Sequence, residues 1–324
     1  MSHSYPVPKP GCYVPAVTFF EPHSERLCLE EQAKYYSFLA STGLKGLVVL
    51  GTNAETFLLT REERKILLET ARRAVPAGFP IIAGVSGHST VQVLEYIDDA
   101  HQAGADFALL LPCAYFGKQT TPAVIRGFFS DVAARSPLPI ILYNFPAVCN
   151  GVDLDSDTIA EIASAHENVV GVKLTCGSVA KIARLAATFP PSRFAAFGGQ
   201  SDFLLGGLAV GSAGCIAAFA NVMPRSVARL YELWRTGKQD EALALQKVLS
   251  LAEAPTKAGI ASTKYAASLL TAPAAGIQNA AEMLRPRRPY VEPAQDLKER
   301  IEKTILALRD LEDNAVQHAP NGVH

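Results

Sequence analysis

Lys173 stands in the run Val169-Val170-Gly171-Val172-Lys173-Leu174, whose other residues read as a wholly buried strand. Burial strips hydration from an ammonium ion and so favours the neutral amine, the form that attacks a ketone carbon to make an imine. A phenol, Tyr143, closes a second apolar run in Tyr143-Asn144-Phe145-Pro146, and a hydroxyl-rich turn, Gly51-Thr52-Asn53-Ala54-Glu55-Thr56, follows a third. Each has an ordinary structural account: a lysine whose stem packs while its head reaches solvent, an aromatic at a rim, a helix-capping turn. Together, an amine, a phenol and a turn with free backbone N–H groups are the parts needed to bind a 2-keto acid and move its protons.

Such groups can cooperate only if the chain brings the ends of separate strands together. Short β-rich apolar runs recur at 12–19, 46–50, 80–85, 107–111, 139–143, 169–174, 193–197 and 214–218, starting roughly 20 to 35 residues apart. The gaps carry helical period, with a capping-box pattern at Thr60-Arg61-Glu62-Glu63 and an N-cap followed by proline at Thr121-Pro122. Strands without alternation, separated by helices, are buried on both faces and parallel. Eight such units, with no G-x-G-x-x-G or P-loop after the first strand, predict an α/β fold: a (β/α)8 TIM barrel with a C-terminal helical extension. The expected division is residues 1–223 for the catalytic barrel with a short N-terminal arm, and 224–324 for a helical subdomain and tail. Helices are expected at 227–234, 241–251, 264–270 and 297–311, with Arg285-Pro286-Arg287-Arg288-Pro289 as a surface connector. The proline-rich start and the tail from His318 to His324 are expected to be mobile.

A barrel of this kind works at the C-terminal ends of its strands, which sorts the candidates. Lys173, Tyr143, the turn after strand two, Pro112-Cys113-Ala114-Tyr115 after strand four and Gly198-Gly199 after strand seven all fall at that mouth, whereas Lys45, preceding strand two, falls at the opposite end.

In this order and spacing, Gly51-Thr52-Asn53-Ala54-Glu55, Tyr143-Asn144-Phe145-Pro146 and Gly171-Val172-Lys173 resemble the dihydrodipicolinate synthase and N-acetylneuraminate lyase superfamily of pyruvate-dependent class I aldolases. The resemblance runs from about Gly11 to Leu311 and includes Gly211-Ser212-Ala213-Gly214-Cys215-Ile216. It implies that Lys173 forms the Schiff base and Tyr143 shuttles protons. Thr52 and Asn53 would hold the pyruvyl carboxylate, Thr52 would link Tyr143 to a second tyrosine from a neighbouring subunit, matched here by Tyr115, and Gly199 and Ile216 would complete the substrate-binding set. It further implies a homo-oligomer, usually a dimer of dimers, and chemistry in which the protonated imine takes up electrons from the breaking bond, so no cofactor or metal is expected.

Two departures narrow the substrate. Dihydrodipicolinate synthases carry an arginine shortly after the Tyr-Asn-x-Pro element, but this chain has Ala147-Val148-Cys149-Asn150-Gly151, so a second carboxylate would be poorly held. Asn53 in place of threonine looks closer to 4-hydroxy-2-oxoglutarate aldolases, and Pro10-Gly11-Cys12-Tyr13-Val14-Pro15 with Phe19-Phe20 looks like the fungal 2-keto-3-deoxy-L-galactonate aldolases. The expected function is therefore a lyase releasing pyruvate and an aldehyde from a 2-keto-3-deoxy sugar acid or a related 4-hydroxy-2-keto acid. The alternatives are dihydrodipicolinate synthase itself and a silent pyruvate-binding paralogue, the latter motivated by Ala54 where the family usually has glycine.

The 30 basic and 31 acidic residues create no global field for nucleic acid or an anionic membrane. The six cysteines have no C-x-x-C pair and no histidine at ligand spacing, which suggests neither a disulfide framework nor a zinc site. The first residues lack the basic and apolar regions of a secretory signal, and no apolar run approaches about 18 residues, so a soluble, cytoplasmic protein is expected.

Overall fold

In the computed structural model, which describes residues 5–315, eight parallel strands close in sequence order into a barrel. They are β1 (Gly11–Pro15), β2 (Gly46–Val49), β3 (Ile81–Gly84), β4 (Phe107–Leu110), β5 (Ile140–Asn144), β6 (Val169–Leu174), β7 (Ala195–Gly198) and β8 (Gly214–Ile216). The helices α1 (Leu29–Ala40), α2 (Arg61–Ala74), α3 (Thr90–Gln102), α4 (Pro122–Ala133), α5 (Ser156–Ala165), α6 (Val179–Thr188), α7 (Leu204–Leu208) and α8 (Pro224–Arg235) follow strands one to eight in turn. The capping box at Thr60 and Glu63 is formed in both directions, and the Thr121 side chain accepts from the Val124 N–H ahead of Pro122. Each such cap is worth about 1 kcal/mol.

The first apolar run extends to residue 19, yet β1 stops at Pro15. Beyond it, buried side-chain amides replace the sheet as backbone partners. Asn221 accepts from the Val17 N–H and donates to the Pro15 carbonyl, while Gln32 accepts from the Phe19 N–H and donates to the Val17 carbonyl. Part of the proline-rich start is also tied down, since Val7 packs against the barrel interior and the Lys9 carbonyl accepts from the Tyr13 hydroxyl at 2.8 Å. The tail from His318 lies outside the described residues.

The C-terminal segment continues with α9 (Gln239–Glu253), α10 (Ile260–Leu269), α11 (Thr271–Ala274), α12 (Ala280–Met283), α13 (Gln295–Leu306) and α14 (Arg309–Asn314). The single helix expected over 297–311 breaks into two. The second piece turns Glu312 onto the start of α8, where its carboxylate accepts the N–H groups of Arg225 and Ser226 at 2.8 and 2.9 Å. Those N–H groups have no partner within the helix, so this acid serves as a cap supplied from 86 residues away. Among the described residues, no helix is long and apolar enough to cross a membrane.

The candidate active site

The phase of β6 decides where Lys173 points. In β5 the interior residues are Ile141 and Tyr143, at strict alternation, while Ile140 and Leu142 face the helices. In β6, Val169 and Gly171 pair with the consecutive residues Ile140 and Ile141, so Val170 is the extra residue of a β-bulge. Val170 faces the interior and Val172 the helices. The bulge shifts the phase by one residue and aligns Lys173 with the inward-facing Tyr143 on one side and Phe197 on the other. Without it, alternation from Val170 would have turned the lysine toward the helices.

Lys173 is 2 % exposed, and its Nζ lies 4.2 Å from the centre of the Tyr143 ring. The Tyr143 hydroxyl is 3.3 Å from Thr52 Oγ1, which makes a connected amine, phenol and hydroxyl set at the mouth of the barrel. A cavity of about 690 Å³ opens above it, lined by Thr52, Asn53, Tyr143, Lys173 and Gly199 among others. Gly199 is obligatory there, because a Cβ would lie 2.1 Å from Thr175 Oγ1. That Thr175 oxygen is buried in the cavity wall without a hydrogen-bond partner among the described residues.

Thr52, Asn53 and Ala54 form a short 3₁₀ turn whose internal hydrogen bonds use the N–H groups of Ala54 and Glu55. Those of Thr52 and Asn53 are not used within the turn and suit an anion. Ala54 does not disturb this geometry. The positive φ of 56° falls on Glu55 instead, and the Ala54 carbonyl accepts from Thr18 Oγ1 at 2.9 Å.

Two expected residues lie elsewhere in the single chain. Ile216 is wholly buried in the barrel interior with Tyr13 and Phe197, outside the cavity wall. Tyr115 is 71 % exposed and joins Phe57, His88 and Phe116 in a surface cluster of rings spaced 5.3 to 5.9 Å apart. On the side where an arginine was expected to be missing, the cavity wall is the apolar pair Phe145 and Val148.

Four residues that shape the site, Glu55, Lys264, Arg287 and Glu253, had no role assigned from the sequence. Glu55 and Lys264 form a buried ion pair of 2.6 Å, and the second Glu55 oxygen accepts the Arg287 N–H at 2.8 Å. Arg287 grips Glu63 with two bonds of 2.6 Å and donates to the carbonyls of Leu58 and Glu25. The stretch 285–289 is thus a clamp over the segment between β2 and α2 as well as a connector. Glu253, at the end of α9, lines the cavity while 2 % exposed and accepts from Ser201 Oγ at 2.5 Å. Burial pushes its pKa up to about 7, against the pull of the Ser201 hydroxyl.

An acid whose folded pKa is raised favours the folded state below its unfolded value, and that contribution fades as pH rises through the folded one. Between pH 4.5 and about 7, the melting temperature of Glu253→Gln is therefore expected to gain steadily on the wild type, then run parallel above it. A constant difference across that window, read by calorimetry, would remove the raised acid. Among the described residues, no group of three or more His, Cys, Asp or Glu side chains is placed to hold a metal ion.

A sequence model of the dihydrodipicolinate synthetase family matches residues 10–308. The chain belongs to that family. A family relative from Coccidioides immitis (strain RS), provisionally named a mitochondrial 4-hydroxy-2-oxoglutarate aldolase, is 60% identical over 306 residues, covering 94% of this chain and 98% of its own. An L-threo-3-deoxy-hexylosonate aldolase from Hypocrea jecorina is 41% identical over 268 residues, covering 79% of this chain and 85% of its own. A crystal structure of a dihydrodipicolinate synthase family protein from Coccidioides immitis superposes with a TM-score of 0.89 at 57% identity, covering 95% and 98% of the two chains. This dihydrodipicolinate synthetase family member is an aldolase, a lyase that cleaves a keto acid, and the condensing alternative is the weaker one. The expectation of a cytoplasmic protein is corrected: the 60% relative is named mitochondrial. Mitochondrial transit peptides are amphipathic and acid-poor, a pattern distinct from the basic and apolar regions of a secretory signal.

Proposed function

We propose that this aldolase works through a Schiff base at Lys173 and cleaves a 2-keto-3-deoxy sugar acid, or a related 4-hydroxy-2-keto acid, to pyruvate and an aldehyde. One observation carries the reading. Of the buried lysines, Lys264 is paired with Glu55 and Lys181 with Asp153, whereas Lys173 has no ion pair among the described residues and lies in the wall of the cavity of about 690 Å³. A buried amine without a counter-ion has poor structural justification and good chemical use.

The Lys173 amine adds to the keto carbon, and water leaves to give a protonated imine. Tyr143 takes the proton of the hydroxyl on C4, the C3–C4 bond breaks, its electron pair enters the imine as an enamine, and the aldehyde departs. Protonation at C3 and hydrolysis of the imine release pyruvate and restore the amine. Thr52, within 3.3 Å of the phenol, holds its hydroxyl and offers a relay to a second proton carrier. Thr52 and Asn53 hold the substrate carboxylate through the turn, and Gly199 lets the chain approach the cavity closely. Ile216 supports the interior beneath.

The exposed rings of Phe57, His88, Tyr115 and Phe116 support a homo-oligomer, since clustered exposed aromatics suit a protein interface. Tyr115 would reach a partner's site across it. A mitochondrial location is proposed from the name of the 60% relative.

Pyruvate with borohydride is expected to fix a reduced adduct on Lys173, located by peptide mass spectrometry. A native protein that takes up no adduct would sink the imine and favour a silent paralogue.

A further inference from the structure

In the proposed mechanism the keto-acid end of a substrate engages Thr52, Asn53, Tyr143 and Lys173, which form a small part of the wall of a cavity of about 690 Å³. The remaining wall carries Gln200, Glu253, Thr256 and Lys257, none of which the proposed mechanism uses. Lys257 is not a spare cation. Its ammonium is bonded to Asp202 and lies 3.0 Å from Gln200 Oε1. Glu253 is held by a hydroxyl, with no ion pair among the described residues, and its holder is itself fixed. The Ser201 carbonyl accepts from Gln246 Nε2 at 2.9 Å, and Gln246 Oε1 accepts from the Leu205 N–H at 3.1 Å. A carboxyl buried at a cavity wall without a cation is costly, and here it is braced from two elements, α9 and the loop after β7.

We propose that Glu253 selects the distal half of the substrate, accepting a hydroxyl from an uncharged polyol tail and rejecting a tail that ends in a second carboxylate. This rests on the lyase reading of the site. With Lys257 neutralised by Asp202, the distal wall has no net positive charge for a second carboxylate and becomes negative whenever Glu253 ionises. A sugar-acid tail instead brings hydroxyl donors, which a carboxyl on a rigid support rewards and which an analogue lacking them leaves unpaired. The wall therefore favours 2-keto-3-deoxy-hexonates over 4-hydroxy-2-oxoglutarate.

The test is kcat/KM for those two substrates, measured by pyruvate release between pH 6 and 8 on the full chain and on Glu253→Gln. In the wild type the hexonate is expected to be preferred, with the preference shrinking as pH falls through about 7. The groups facing Glu253 are Asp202, Lys257 and Ser201, with Cys215 on β8 within its field. A pH effect on the chemical steps common to both substrates cancels in the ratio. Glu253→Gln is expected to lower hexonate use about tenfold, raise 4-hydroxy-2-oxoglutarate use about tenfold, chiefly through KM, and abolish the pH drift. A variant that changes both substrates by the same factor, or a wild-type ratio that ignores pH, overturns the assignment. The wild-type profile alone decides should the variant not fold. Borohydride trapping on the same preparation separates the two levels: no adduct ends the lyase reading, whereas an adduct with an unmoved ratio ends only the role of Glu253.

Discussion

Lys173→Ala is expected to lower kcat by about four orders of magnitude or more and to abolish the borohydride adduct, while the protein stays folded. Loss of the nucleophile removes the covalent route itself, because no imine means no electron sink for the breaking C3–C4 bond. Stability is expected to hold or rise, since the variant removes a buried amine that has no ion pair among the described residues. Tyr143→Phe makes the contrast. It keeps the ring that lies 4.2 Å from the amine but deletes the hydroxyl, so adduct formation should survive while kcat drops by about 10² to 10⁴. Pyruvate release, peptide mass spectrometry and thermal melting on the two variants read all of this. Turnover within tenfold of wild type in Lys173→Ala would exclude the lysine as nucleophile.

The order of strands, the capping signals at Thr60 and Thr121, and the mouth to which Lys173, Tyr143 and Thr52 belong were legible because each depends on local spacing. The direction of Lys173 was not. A run of apolar residues buried on both faces has no alternation to reveal its phase, and the bulge at Val170 exists only in the pairing with β5. Ile216 illustrates the same gap, being correctly assigned to strand eight yet facing the packed interior instead of the cavity. Glu253 and Arg287 were invisible for another reason. Both act across long sequence separations, from helical and connector segments whose local pattern announces only an amphipathic surface. Glu55 gave one usable sign, an acid retained inside the turn that carries Thr52 and Asn53, but nothing local to its position names Lys264 as its partner 209 residues away.

That pair carries the second large effect. Lys264→Met is expected to destabilise the protein by about 3 to 5 kcal/mol, because it leaves the buried Glu55 carboxylate without its counter-ion. Burial already pushes the Lys264 pKa down and the Glu55 charge pulls it back up, so neither member is comfortable alone. Glu55→Gln should cost less, since an amide can still accept the Arg287 N–H. Glu55→Gln combined with Lys264→Met should cost clearly less than the sum of the single changes, because the double variant buries no unpaired charge. Chemical denaturation of the four proteins measures the coupling, and strict additivity would mean that the pair is not an energetic unit. Stability alone, however, does not explain why the site keeps charges where apolar side chains could pack. The Glu55 carboxylate engages α10 through Lys264 and the 285–289 clamp through Arg287, and its own backbone N–H closes the turn onto the Thr52 carbonyl. The double variant should therefore regain much of the stability but loosen the turn that receives the substrate carboxylate. KM should rise several-fold with kcat little changed, which a purely structural pair would not produce.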